Sequence, residues 1–160
     1  MDFFKKLFGR PSRKTPSSSG PQRSSEAELN SAAQTLYRLW KTTAFDLLLK
    51  DTTSPDQQIK YDTLSDSQCV CGSRATLTEI EGGVMCPRCN RRIMFGDFVR
   101  SDKGYQKGIF RHRGVVEIGD ALYKQGGHEA MQQAAYRFAA LGGRTSDLSR
   151  TWHGTGEWMH

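Results

Sequence analysis

No stretch of the 160 residues approaches the roughly 18 consecutive apolar positions that a helical membrane span needs, which excludes one. The first residues lack an apolar h-region and a small-residue cleavage site, so no secretory signal is expected. Glycine-rich phosphate loops are missing too: Gly126-Gly127 and Gly142-Gly143 lie where helices would stop. His112, His128, His153 and His160 are scattered, and no spacing joins them to a nucleophile or carboxylate. Cysteine is absent outside residues 69–89, leaving no spare thiol as a nucleophile. An enzyme is therefore not expected. Apolar side chains make up only 36% of the chain, with a mean hydropathy of −0.63, so the folded part has little core to spare.

What is present is unevenly charged. The net +6 divides into +5 over residues 1–24 and +6 over residues 88–113, against −4 over 25–87 and −1 over 114–160. Two basic segments on a slightly acidic body point to anionic partners at two places, a nucleic acid or a lipid surface.

Residues 1–9, MDFFKKLFG, form the first of these. On a helix, Phe3, Phe4, Leu7 and Phe8 gather within about 140° of arc, backed by Lys5 and Lys6. That is the composition of an interfacial anchor, and equally of a peptide that packs into a partner groove. Residues 10–24 carry Ser, Pro and basic side chains without a large apolar one, which predicts a flexible basic linker.

Ser25 and Glu28 have capping-box spacing, and Leu29, Ala32, Ala33, Leu36, Leu39, Trp40, Thr43 and Leu47 follow at intervals of three and four. One long helix is expected over 25–50, with Phe45, Leu48 and Leu49 widening its stripe late. It would pack on the C-terminal helices or pair with a second copy as a homodimer. Residues 51–67 are expected to be a loop holding one short edge strand. Beyond the cysteines, residues 75–81, 84–86, 91–100 (with a bulge at Gly96) and 109–116 read as strands, with Gly82-Gly83 as a hairpin turn. Residues 117–125 and 128–141 read as helices stopped by the glycine pairs, and 146–151 as a short third one. Trp152 and Trp158 are too apolar to leave in water, so the tail should fold back.

All four cysteines fall in two pairs, Cys69-Val-Cys71 and Cys86-Pro-Arg-Cys89, with fourteen residues between them. Zinc takes four thiolates at about 2.3 Å, which brings the sulfurs within about 4 Å of one another. The Pro87 turn brings Cys89 round to Cys86, and a hairpin in the intervening segment brings the pairs together. Cys69, Cys71, Cys86 and Cys89 are thus candidate ligands of one structural Zn2+, an iron site being the alternative. With every coordination position filled by protein, the ion would hold the fold rather than meet a substrate.

This arrangement resembles a zinc ribbon, in which two cysteine knuckles clamp a small antiparallel sheet. The resemblance covers about residues 68–100 and departs from the usual pattern where the single Val70 replaces a two-residue spacer. The run from Gly142-Gly143 through Trp152-His-Gly-Thr-Gly to Glu157-Trp158 resembles the tail of some small bacterial proteins, and implies no activity.

The fold expected is α+β: a long N-terminal helix, a zinc-ribbon sheet over 68–116 and a helical C-terminal region over 117–160. The function expected is a cytoplasmic interaction or adaptor protein, peripheral at the inner face of the membrane if residues 1–9 bind lipid, or held by a protein partner. The alternative is a nucleic-acid-binding ribbon. It would use Arg88, Arg91, Arg92, Arg100, Lys103, Lys107, Arg111 and Arg113 for phosphates, with Phe95, Phe98, Tyr105 and Phe110 as stacking platforms.

Overall fold

The computed structural model describes residues 24–48, 69–73, 77–101 and 109–158. Residues 1–9, most of the 10–24 linker, the 51–67 loop, Lys103, Tyr105 and Lys107 lie outside them. Among the described residues the chain is mixed α and β, with three helices and two antiparallel three-stranded sheets. No helix among them is long and apolar enough to cross a membrane.

Helix α1 (Glu26–Thr42) starts as its sequence dictates. Ser25 Oγ accepts from the Glu28 amide at 3.2 Å, and the Glu28 carboxylate accepts from the Ser25 amide at 2.9 Å, satisfying two orphan donors. Its apolar stripe, Leu29, Ala32, Ala33 and Leu36, is buried against the two C-terminal helices. The helix does not run on to residue 50. It stops at Thr42, where Thr42 Oγ1 bonds back to the Arg38 carbonyl at 2.8 Å and Thr43 turns extended. Two consecutive β-branched residues are weak helix formers. Beyond them the apolar period changes to two, Phe45 entering the helical core and Leu47 the sheet core, and Asp46–Leu48 becomes strand β1.

Strands β2 (Thr78–Ile80), β3 (Gly83–Met85) and β4 (Arg92–Met94) form one sheet in the order β2-β3-β4. The hairpin turn lies one residue earlier than expected, at Glu81-Gly82, with Gly82 at φ +71°. Gly83 instead opens β3, where a Cβ would lie 2.2 Å from the Ile93 carbonyl oxygen. The expected strand over 91–100 is broken by a 3-10 turn, Phe95–Asp97. Its second half, β5 (Phe98–Ser101), crosses to the other sheet, which runs β1-β6-β5 with β6 at Ile109–His112. Leu47 and Phe98 from this sheet meet Val84 and Ile93 from the first, so both sheets share one small core.

The strand expected to reach residue 116 ends at His112, and helix α2 (Arg113–Ala140) follows at once. The two helices expected over 117–125 and 128–141 are consecutive parts of α2, kinked at Gly126 and Gly127. Gly127 takes φ +66°, ψ −157°, a conformation open essentially to glycine alone. Helix α3 (Thr145–Trp152) closes the helical core. Trp152 is fully buried, and Trp158 packs edge-on to it at 5.2 Å, so the tail does fold back.

Candidate metal centre and the basic residues around it

Each cysteine pair occupies a turn closed by its own backbone. In the second, the Asn90 amide donates to the Cys86 carbonyl at 2.9 Å and the Cys86 amide to the Arg91 carbonyl at 2.9 Å. In the first, Gly72 donates to the Cys69 carbonyl at 2.7 Å and Cys69 to the Ser73 carbonyl at 3.2 Å. The pattern is the same with one residue fewer. Each turn ends on a left-handed residue, Gly72 at φ +80° and Asn90 at φ +60°, the two residue types that tolerate it best. The short Val70 spacer is thus absorbed by a tighter turn.

The sulfurs converge. Cys69 Sγ lies 3.7 Å from Cys89 Sγ, Cys71 Sγ lies 3.8 Å from Cys86 Sγ, and all four ligand atoms are within 4.8 Å of one another. A tetrahedron with metal–sulfur bonds of about 2.3 Å has edges of about 3.8 Å. The four cysteines can therefore hold a metal ion between them. Burial pushes the Cys69 thiol up to about 12, although a Cys71 backbone hydrogen bond and the Arg91 charge both pull it down. Burial also raises Cys86, but backbone hydrogen bonds from Cys89 and Arg88 outweigh it and leave the thiol at about 6. Of this pair, charge settles on Cys86, where backbone donors gather, and Cys69 keeps its proton until a cation arrives.

The basic residues divide into two kinds. Arg88, Arg92, Arg100 and Arg113 are exposed, whereas Arg91 and Arg111 are 7% and 4% exposed and belong to the interior. Arg91 Nη1 donates to the Thr43 carbonyl at 3.2 Å, at the end of α1. Arg111 Nη1 donates to the Thr151 carbonyl at 3.2 Å and also to the His153 carbonyl, fastening the end of α3 to β6. Neither arginine's buried role was visible in the sequence, where both sit in a run of surface-like charges. The aromatics are committed as well: Phe98 is in the sheet core, and Phe95 and Phe110 pack against it.

Lys41, which sequence reasoning did not single out, joins Asn90, Arg91 and Arg92 along a cleft of about 440 Å³ beside the cysteines, whose lining among the described residues holds no carboxylate. His112, the residue between Arg111 and Arg113, is buried edge-on against Phe98 at 5.4 Å. No family model, curated protein or solved structure matches the chain.

Proposed function

We propose that the chain is a non-enzymatic interaction module whose sheet half is stapled by one structural Zn2+ bound to Cys69, Cys71, Cys86 and Cys89. The observation that carries this reading is the pair of sulfur separations, 3.7 and 3.8 Å, which match the edge of a single-ion tetrathiolate. A multinuclear iron–sulfur cluster would interpose several irons and sulfides and spread the thiolates apart, so the geometry favours one ion. The core beside the site supports a structural role because it is small: among the described residues its buried members are Leu47, Val84, Ile93 and Phe98. Metal analysis of the purified chain tests the reading: about one zinc per chain is expected, lost in Cys86→Ser. A visible charge-transfer spectrum of iron would overturn the assignment of the ion.

In the same reading, residues 1–9 dock the module on a lipid surface or a partner protein, through Phe3, Phe4, Leu7 and Phe8 beside Lys5 and Lys6. Deleting them should abolish sedimentation with anionic vesicles, or capture by the partner, while leaving the metal content unchanged.

The cleft, whose described lining holds Lys41 and Arg92 and no carboxylate, favours a second reading, the binding of nucleic-acid phosphates by these two residues with the exposed Arg88 of the same knuckle. Arg91 is a poor probe of it because its side chain is interior. Arg88→Gln with Arg92→Gln should flatten the salt dependence of oligonucleotide binding. Affinity for single strands that does not vary with salt would count against this reading.

A further inference from the structure

Arg91 is a buried cation. It is 7% exposed, and among the described residues no carboxylate pairs with it. One nitrogen holds the Thr43 carbonyl at 3.2 Å, and buried Nε finds no hydrogen-bond acceptor among the described residues. An uncompensated buried charge is costly enough that proteins pair it or coordinate it. Among the described residues, the group beside it that can carry negative charge is the cysteine cluster: Arg91 closes the second knuckle through its carbonyl and lines one cleft with Cys71 and Cys89. Four thiolates around a divalent ion carry a net charge of −2, and on the buried side of the centre, where Cys69 and Cys86 lie, the protein has to compensate it.

We propose that Arg91 is the built-in counter-ion of the metal–thiolate centre, a positioning residue that couples metal binding to the docking of the second knuckle on the end of α1. Arg91, Cys69 and Cys86 are all buried, and the same guanidinium that offsets the centre grips the Thr43 carbonyl. Each then strengthens the other: a loaded centre holds Arg91 against α1, and α1 holds Arg91 against the centre. The inference rests on the single-ion reading above.

The test uses the full chain and measures Zn2+ affinity by chelator competition, alongside the thiolate-to-metal absorption band of the Co2+ form. Arg91→Gln keeps a donor for the Thr43 carbonyl and removes the charge; Arg91→Lys keeps the charge. The glutamine variant is expected to bind Zn2+ about tenfold or more weakly and to shift the Co2+ band, with lysine restoring most of both. Lys124→Gln, exposed on α2, serves as the control and should match the parent. A mere cap of α1 would predict lower fold stability with metal affinity unchanged in Arg91→Gln, and that result overturns the proposal. So would a lysine variant as weak as glutamine. If the parent binds neither Zn2+ nor Co2+, the single-ion reading falls and takes this inference with it. If the parent binds and Arg91 has no effect, only the inference falls.

Discussion

The Trp152 indole lies directly over Gly119. Its Nε1 donates to the Val115 carbonyl at 2.8 Å, and a Cβ on Gly119 would come within 2.6 Å of that nitrogen. In an exposed helix, replacing glycine with alanine gains up to about 1 kcal/mol of helix propensity. Here the contact reverses the sign. Gly119→Ala should cost about 1–3 kcal/mol by displacing a fully buried indole. A urea midpoint equal to or above the parent's would show that the close approach is not a constraint.

Arg111 and Arg113 are two residues apart and should behave oppositely. Arg111 is interior and holds the Thr151 and His153 carbonyls. Removing it by Arg111→Ala leaves buried acceptors behind and should cost about 2–4 kcal/mol. Arg113 is exposed, and Arg113→Ala should stay within about 0.5 kcal/mol of the parent. Equal effects in chemical denaturation would contradict this division of the basic stretch.

Stability should also fall in mild acid. Burial lowers the pKa of His112 below its ordinary 6.5, with Arg113 acting in the same direction and Asp97 against it. The folded state therefore keeps His112 neutral where the unfolded chain takes up a proton. Its contribution is complete above about pH 6.5 and is lost as the pH falls from there towards the folded pKa. Comparing urea midpoints at pH 7.5 and pH 6 should show a decline that is smaller in His112→Gln; an identical decline would assign the effect to another group.

Removing the metal should act on one core before the other. Leu47, Val84, Ile93 and Phe98 are held beside the knuckles, whereas the helical core around Leu36, Met131 and Phe138 has its own packing. Chelation is expected to speed amide exchange at Val84 and Ile93 well before Leu36 or Phe138. Reloading should release protons, because Cys69 keeps its thiol proton at neutral pH until a cation is bound. Uniform exchange across both cores would mean that the ion does not staple the sheets locally.

How far the sequence could be read depended on whether a signal was local. The start of α1 was legible because Ser25 and Glu28 carry their own hydrogen-bond partners, and the kink at Gly126 and Gly127 because glycine marks it. The cysteine cluster was legible because ligand type and pairing are written in the chain. The end of α1 was not: Phe45 and Leu47 extend a helical stripe on paper, and only their separate destinations reveal a strand. Nor was the split at Phe95–Asp97, since β4 and β5 each alternate well enough to pass as one strand. The burial of Arg91 and Arg111 was invisible for a similar reason: their acceptors, the carbonyls of Thr43, Thr151 and His153, lie forty or more residues away in the chain.

Strand β1 leaves α1 to pair with β6, and β6 runs straight into α2, so both described crossings between the helical core and the sheets are direct. The cysteine module is consequently not a cassette. A fragment cut at residues 69 and 94 would lose Leu47 and Phe98, the half of its small core supplied by the other sheet. Any exchange of this module between proteins, by design or by recombination, would have to carry the helices with it.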